Sequence, residues 1–393
     1  MPAISNLSGK FMLRLRVASF FLAFVILSFI PGFLEAASAT GSQEGSIVKP
    51  ADSVAVRDLK ANPDENKFNP GEMIMEHVVD NHEWHIATIG RLNLCIPLPV
   101  FLFCEGKFYA FWSSAFHNEE HSFRGFIISE KGKNKGKILT LKEEMTGKGP
   151  AVYDFSITKT VLAIFLSGLF LILIFVNVAG RYKQNANVAP HGLQNMLEPL
   201  ILFVRDDVAK SSIGEKHYEK YLPYLLTIFF FIFFNNLLGI IPIFPGGANV
   251  TGNIAVTGVM AIFTGIITAF SGNRHYWVDI INTPGVPWWL KLPFPLIPII
   301  EIIGVLTKPF VLMVRLFANM TAGHVLILAL ISIIFIFGNK FSPGLGIGVG
   351  IPAMLFMVFM NLLELLVAFI QAYVFTLLSA LYFGLAITEP EHN

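Results

Sequence analysis

One permanent charge and one titratable side chain lie within a long apolar stretch near the C-terminal end. Residues 308–337 read KPFVLMVRLFANMTAGHVLILALISIIFIF, and Arg315, Asn319 and His324 interrupt the apolar run that follows Pro309. Arginine keeps its proton even in an apolar environment, because its pKa exceeds about 12. Placing that charge at bilayer depth costs roughly 2.5–3.5 kcal/mol on insertion scales, and intramembrane charges mark ion pathways. The pattern predicts an ion-translocation site around Arg315.

A second long apolar segment, about residues 349–388, carries Glu364 and Gln371. The arginine segment after Pro309 and this last segment predict helices roughly 43 and 60 Å long, against a hydrocarbon core of about 30 Å. Helices of that length have to tilt strongly. We expect a long antiparallel hairpin that lies obliquely across the side of a curved partner.

Counting outward from the connecting loop predicts which side chains lie at the same depth. His324 comes level with Glu364, and Arg315 comes level with Gln371. Asn319 follows Arg315 by four residues and therefore shares its helix face. A buried salt bridge between Arg315 and Glu364 is the alternative, and it needs a slip of about seven residues, or roughly 10 Å.

This arrangement suits ion transfer in two steps. A histidine and a glutamate can exchange protons with each other and with an aqueous path. An arginine without a matched acid can separate two aqueous access routes. A mobile carboxylate on a partner protein would supply the missing counter-charge.

The elements that position these residues are those of a membrane protein. The chain has 393 residues, of which 54% are hydrophobic and 14% charged, and its net charge of +1 gives no hint of a nucleic-acid partner. Spans are predicted at 160–179, 221–243 and 253–272, in addition to the hairpin. Between the first two, residues 184–220 read as an interfacial helix. A short re-entrant or interfacial helix carrying Glu301 is expected to end at Lys308-Pro309.

The predicted fold class is therefore an all-α polytopic membrane protein with about five spanning helices and an interfacial or re-entrant helix, ending in the tilted hairpin. Arg181 and Lys183 follow the first span directly, and Lys340 is the basic residue of the short outer loops. The positive-inside bias then places the C-terminus in the cytoplasm and the N-terminal region outside.

Three domains are expected along the chain. Residues 1–39 resemble a signal peptide more than a membrane anchor, because a 14-residue apolar run follows basic residues and precedes a small-residue cleavage site. Residues 40–155 contain short strand-like runs and predict a small β-rich extracytoplasmic domain, with NKGK as a turn between FRGFIIS and KILTL. Residues 156–393 form the membrane ion-channel domain.

Two features of the N-terminal region have alternative interpretations. In HVVDNHEWH, His77, His82 and His85 could gather a metal, but a polar surface segment is favoured because no second ligand cluster follows. Cys95 and Cys104 are the chain's two cysteines, and a disulfide between them is left open. The sequence predicts no metal and no cofactor.

Three separated motifs carry a resemblance to a known family. ANVTGNIAVT, MVRLFANMTAGH and ELLVAFIQAYVFTLLSALYF occur in the order found in subunit a of the membrane sector of rotary F-type ATP synthases, which the region from about 155 to 388 resembles. The resemblance implies two half-channels against a c-subunit ring. It also implies peripheral-stalk b subunits and an F1 catalytic head as partners, with protons or sodium ions translocated across a bacterial inner membrane.

By that resemblance, Arg315 is the essential arginine that faces the ring, and Asn319 and Gln371 belong to its polar surroundings. Some members carry the acid on the arginine helix and the histidine on the last helix, so His324 and Glu364 are interchanged here. Asn249 and Asn253 match the outer-loop motif as secondary residues of the ion pathway, with turn and helix-capping roles as the alternative.

The main rival interpretation is a stand-alone secondary ion transporter. Such a protein is expected to contain inverted repeats and paired broken helices, and the arginine motif is not repeated. An enzyme is disfavoured because no nucleophile motif or phosphate-binding loop stands out.

Overall fold

The computed structural model describes, together with Gly71, residues 80–89, 92–116, 122–129, 136–147, 149–184, 190–241, 246–281, 296–340 and 343–388. Five helices in these ranges are long and apolar enough to cross a membrane. The chain is thus a mostly helical, polytopic membrane protein. The predicted signal peptide at 1–39 lies outside the described ranges.

Eight α-helices of six or more residues occur in the described ranges. They are α1 (Leu141–Thr146), α2 (Lys159–Gln184), α3 (Leu193–Phe203), α4 (Tyr218–Ile240), α5 (Ile254–Ser271), α6 (Arg274–Ile281), α7 (Leu296–Lys340) and α8 (Pro343–Ile387). A π-helical segment, Val204–Lys210, and a last turn, Ser211–Ile213, continue α3 where the interfacial helix was predicted. The five candidate spans are α2, α4, α5, α7 and α8.

The predicted helix break at Pro309 is wrong. α7 runs continuously from Leu296 to Lys340, so the segment that was expected to form a separate re-entrant helix with Glu301 is its first part. Proline inside a helix loses one hydrogen bond and crowds the preceding turn. Its ring finds room against α5, since a Cβ added to Gly265 would lie 2.8 Å from Pro309 Cγ. Tertiary packing here outweighs the local preference.

The glycine-rich loop before the last helix is also shorter than expected. α8 begins at Pro343 instead of about Val349, and proline is well tolerated in a first helical turn. Gly346 lies so close to α7 that an added Cβ would be 2.7 Å from Gly338 Cα. These glycines allow the two helices to approach each other at the hairpin end, rather than forming a flexible loop.

The membrane core forms where α8 packs against α4 and α7 packs against α5. α8 contributes buried residues spaced by three or four, which are Ala368, Ala372, Phe375, Ser379 and Phe383. This spacing is that of one helix face. From α4, Leu225, Phe229 and Ile232 are fully buried. The connection between α5 and α6 supplies a hydrogen-bond donor to the C-terminal end of α8. The Asn273 side chain donates to the Ile387 carbonyl at 2.9 Å.

Among the described residues, eight short strands precede the first span. They are β1 (Glu83–Ile89), β2 (Leu92–Pro97), β3 (Pro99–Cys104), β4 (Lys107–Trp112), β5 (Ser122–Phe123), β6 (Phe126–Ile128), β7 (Ile138–Thr140) and β8 (Tyr153–Asp154). They form three small antiparallel sheets ordered β1-β2, β4-β3-β8 and β5-β6-β7. The expected pairing of FRGFIIS with KILTL is present, with Ile128 opposite Ile138. Residues 130–135, which include Asn134 and Lys135 of the predicted turn, lie outside the described ranges.

The strand region has a small core of its own and also packs against the helices. Its core contains Val100, Leu102, Cys104, Phe116, Phe126 and Ile138. Trp84 of β1, only 2% exposed, belongs instead to the same hydrophobic cluster as Ala163 and Ile164 of α2. The Thr160 amide donates to Asp80 Oδ1 at 3.0 Å, which ties the start of α2 to the residues before β1. The strands therefore lie at the N-terminal end of the first span.

Candidate ion-translocation site

His324 of α7 and Glu364 of α8 meet across the hairpin. His324 Nδ1 lies 2.8 Å from Glu364 Oε1. Glu364 is 6% exposed, and the His324 side chain is largely buried. Glu364 Oε2 is buried without a hydrogen-bond partner in the described part of the chain. A buried carboxyl group with one free oxygen beside an imidazole can accept and pass on a proton.

Arg315, in contrast to the buried His324–Glu364 pair, lies on an exposed face of α7. Every fourth residue on one side of α7 is buried, as Leu312, Leu316 and Met320 are each 1% exposed. The other side of the helix is open and carries Arg315 and Asn319, which are both exposed. The four-residue spacing predicted their shared face, and the structure places both on the outer surface of the hairpin.

No acidic side chain of the described ranges forms an ion pair with Arg315. The alternative of a structural Arg315–Glu364 salt bridge is therefore wrong, since Glu364 pairs with His324. Tyr382 also lies in this region, because its ring is 5.7 Å from Lys308 Nζ. Arg315 is left available to a carboxylate from outside the chain.

Gln371 reaches nearly the level of Arg315, but the two do not bond. With His324 opposite Glu364 in an antiparallel pair, Arg315 is level with position 373, about 3 Å from Gln371 along the axis. Gln371 is only 8% exposed, whereas Arg315 is exposed. Within the described residues no hydrogen bond joins their side chains. The structure thus brings His324 and Glu364 together and separates Arg315 from Gln371.

Asn249 and Asn253 occupy structural positions in the connection between α4 and α5. Asn253 Oδ1 accepts from the Ala255 amide at 2.9 Å and caps α5. Asn249 Oδ1 accepts from the Gly252 amide at 2.9 Å, and its Nδ2 is buried without a partner among the described residues. The turn and capping roles are therefore present, and the Asn249 amide still has a free donor.

A buried polar network beside His324 was missed in the sequence. Thr251 Oγ1 donates to Asn236 Oδ1 at 2.6 Å, and Asn236 Nδ2 lies 3.4 Å from the Ala368 carbonyl, one turn from Glu364. Thr321 Oγ1 donates to the Gly252 carbonyl at 3.3 Å. The signal was the Asn235-Asn236 pair inside the apolar run TIFFFIFFNNLLG. Buried amides in a span have to find partners, so this pair pointed to a polar interior.

A second missed cluster lies further along α8. Tyr224 Oη and Thr264 Oγ1 are 2.8 Å apart, and Thr264 Oγ1 lies 3.4 Å from Ser379 Oγ. All three residues are buried. They join α4, α5 and α8 on the side of Gln371 that is remote from Glu364. Hydroxyl groups of this kind can satisfy one another and hold helices together in an apolar medium.

The structure tests the two hypotheses for HVVDNHEWH only in part, because residues 77–79 lie outside the described ranges. His82 is 7% exposed, and its Nε2 lies 2.8 Å from Asp154 Oδ2, so this part of the segment is not a polar surface. Burial by itself raises the pKa of Asp154, but hydrogen bonds from His82 and Ser156 outweigh it and hold that pKa below its usual value. No group of three or more metal-binding side chains occurs among the described residues. His77 lies outside them.

Cys95 and Cys104 are both free in the structure. Burial raises the pKa of both thiols, with neighbouring carboxylates adding to the effect, so neither is activated as a thiolate. The disulfide that the sequence left open is not formed.

The region that contains these sites matches known proteins. The family model described as ATP synthase A chain matches residues 161–384. A second model, described as a domain of unknown function (DUF8433), matches residues 73–155.

Curated relatives named ATP synthase subunit a are also similar. The protein from Chloroherpeton thalassium is 42% identical over 61% of this chain and 69% of its own length. That from Chlorobium phaeobacteroides strain BS1 is 47% identical over 61% of this chain and 69% of its own length. A protein named ATP synthase subunit a 2 from Prosthecochloris aestuarii is 46% identical over 61% of this chain and 72% of its own length. The chain, a polytopic membrane protein, belongs to the ATP synthase subunit a family.

Proposed function

We propose that the chain is the ion-translocating stator subunit of an F-type ATP synthase. It forms two half-channels against a ring of c subunits and couples the flow of protons or sodium ions to ring rotation and ATP synthesis. The observation that carries the proposal is Arg315, a permanent charge exposed on a membrane hairpin with no ion-pair partner among the described residues. Such a charge requires a counter-charge that another subunit brings.

In this mechanism, Arg315 acts on ring carboxylates as they pass. Its positive charge favours the ionised form of each carboxylate, which releases the bound ion. The same charge keeps an ion-loaded carboxylate from crossing directly between the two half-channels. Asn319 shares the exposed face and Gln371 lies behind it, so both contribute to the polar surroundings of the arginine.

His324 and Glu364 relay ions between the outer face and the ring. Their contact at 2.8 Å and the free Glu364 oxygen support proton exchange within the pair. The free Asn249 amide lies in the connection that packs beside them, so Asn249, with Asn253, is a secondary residue of the same path.

The assembly follows from this role. The c-ring, the peripheral-stalk b subunits and the F1 head are the partners, and the chain has no catalytic site or cofactor of its own. We place it in a bacterial inner membrane, with a signal peptide at 1–39, a β-rich extracytoplasmic domain at 40–155, the ion-channel domain at 156–393 and a cytoplasmic C-terminus.

Protease added to intact spheroplasts should trim the N-terminal domain and spare the C-terminal tail, whereas the reverse pattern would contradict the topology.

The function is tested by ATP-driven acidification of vesicles that contain the complex. Arg315→Ala should abolish acidification while the amount of assembled complex stays normal, because the exposed guanidinium has no ion-pair partner in the described part of the chain. Glu364→Ala and the double variant are measured beside it. If the double variant recovered activity lost in the single ones, the two residues would form a structural pair and the rotary mechanism would fail.

A further inference from the structure

One sheet of the N-terminal region is apolar on the side that faces away from its core. The strands β3, β4 and β8 bury Val100 and Leu102 completely on their inner side. The alternate positions of the same strands form an outer surface, here called the aromatic face, made of Pro99, Phe101, Phe103, Phe108, Ala110, Trp112, Tyr153, Phe155 and Ile157. An antiparallel sheet with one buried side normally carries polar residues on the other. Here no charged residue occurs on it.

The aromatic face is open in the folded chain. Phe108 and Trp112 are 64% and 60% exposed, and Phe103, Tyr153 and Phe155 are 40%, 41% and 41% exposed. At about 150–250 Å² per aromatic side chain, these five leave roughly 400–600 Å² uncovered. That is as large as the largest apolar patch of a typical soluble monomer, and such patches mark interaction sites.

The position of the sheet identifies what covers it. The ladder continues past β8, because the Phe155 amide donates to the Phe101 carbonyl at 2.9 Å and the Ile157 amide to the Pro99 carbonyl at 3.1 Å. Phe155 comes four residues before the first residue of α2, so at most about 14 Å of chain separates them. The aromatic face is thus joined directly to the N-terminal end of a membrane span.

The surface of α2, the helix that follows the sheet, also suits a lipid environment. α2 exposes Phe165, Leu169 and Leu173, so its surface is apolar from the end nearest the sheet onward. The base of the aromatic face carries Trp112 opposite Pro99, and Tyr153 stands opposite Phe103. Tryptophan and tyrosine concentrate at the headgroup level of membranes, where one part of the ring is apolar and another is polar.

We propose that the aromatic face lies on the lipid headgroup region beside α2 and anchors the N-terminal domain to the membrane surface. Phosphatidylcholine-type lipids fit this role, because the face lacks charge and recognises the amphipathic interface rather than an anionic headgroup. The anchor holds the domain against the bilayer in addition to its covalent link, and it fixes the rotation of the sheet about the axis of α2. This inference holds whichever way the protein is oriented, and it does not depend on ion transport.

Quenching of Trp112 fluorescence tests the proposal on the full chain in phosphatidylcholine nanodiscs. The Trp112 signal is the difference between the natural chain and Trp112→Phe, which keeps the face apolar. Lipid carrying a spin label on its headgroup should remove most of this signal, and aqueous iodide should remove little. Trp84, isolated in the same way with Trp84→Phe, is buried and should resist both quenchers. Strong quenching by iodide with none by labelled lipid would overturn the proposal.

A second measurement separates lipid from protein as the cover. The assembled complex is irradiated in vesicles that contain phosphatidylcholine with a carbene precursor near the headgroup, and adducts are mapped by mass spectrometry. Adducts on peptides that contain 99–112 and 153–157 are expected, with Phe108→Ser reducing them and Met145→Ser, on the exposed helix α1, leaving them unchanged. If those peptides carried no lipid and instead cross-linked to another subunit or to a second copy of this chain, a protein would cover the face.

Discussion

Arg315 and Glu364 belong to the same helix hairpin, yet their surroundings are opposite. Arg315 is exposed and has no ion-pair partner among the described residues, whereas Glu364 is 6% exposed and contacts His324. A contact between two titratable side chains inside the chain can stabilise that chain or pass a proton within it. A charge exposed on an apolar hairpin remains available to a group on another molecule. Under the proposed function, this difference separates the residue that faces the ring from the pair that relays ions to it.

The largest effect is expected when Arg315 changes. Arg315→Gln should reduce ATP-driven acidification by on the order of a hundredfold or more, which corresponds to at least ~2.7 kcal/mol. Arg315→Lys should rescue poorly, because an ammonium can lose its proton in an apolar site and lacks the planar fork that engages a carboxylate. The amount of assembled complex, measured by native gel, should stay unchanged in both variants. A large loss of assembly would mean that Arg315 is structural.

The second effect tests the enclosed pair. Exchanging the two residues, as His324→Glu with Glu364→His, should retain transport within about tenfold, or ~1.4 kcal/mol, of the natural chain. Replacing both with alanine should lose far more, since no group remains to carry a proton between the helices. Acidification rates of the three proteins decide the matter. Equal rates in the exchanged and the alanine variants would rule out the relay.

Two glycines near His324 and Glu364 allow a smaller change to be compared with a control. A Cβ at Gly323 would lie 3.0 Å from Glu364 Oε1, so Gly323→Ala should push the carboxylate away from His324 at a cost of about 1–3 kcal/mol. A Cβ at Gly239 would lie 3.5 Å from the His324 ring, which is an ordinary contact. Transport should therefore fall several-fold in Gly323→Ala and remain normal in Gly239→Ala. The opposite order would contradict the observed geometry.

The smallest effect is expected in the network that supports the pair. Thr251→Val removes the hydroxyl that donates to Asn236 Oδ1 at 2.6 Å and leaves that buried oxygen without its donor. The free energy of unfolding should fall by about 1 kcal/mol, while transport changes little. Thr307→Val on α7 is the control, because its hydroxyl lies on the exposed side. Thermal unfolding in detergent compares the two variants, and equal stability would show that the network adds nothing.

Much of the hairpin was predictable because helix geometry is regular. A fixed rise per residue allowed His324 and Glu364 to be matched in depth by counting from the loop, and the two side chains do meet. The break at Pro309 was not predictable in this way. Proline generally disfavours a helix interior. Here, however, Gly265 of α5 leaves space for the Pro309 ring, so the helix continues. The early start of α8 at Pro343 has a similar cause.

The N-terminal strands show the limit of local patterns more clearly. The pairing of Ile128 with Ile138 followed from two apolar runs around a turn signal. The burial of His82 against Asp154 joins residues 72 positions apart, so no short-range pattern could indicate it. The aromatic face likewise becomes visible only when three strands are aligned.

The amino-acid sequence by itself determined that the chain is a membrane protein and which segments span the membrane. It also determined which polar residues share a depth and which family the chain resembles. These properties depend on hydropathy, helical rise and spacing, and each is a function of position along the chain. Only the tertiary structure decided that Arg315 is open and Glu364 enclosed. Which residue is exposed depends on the side of the hairpin that α4 and α5 cover. A helix with polar residues on several faces does not by itself specify which face will be covered.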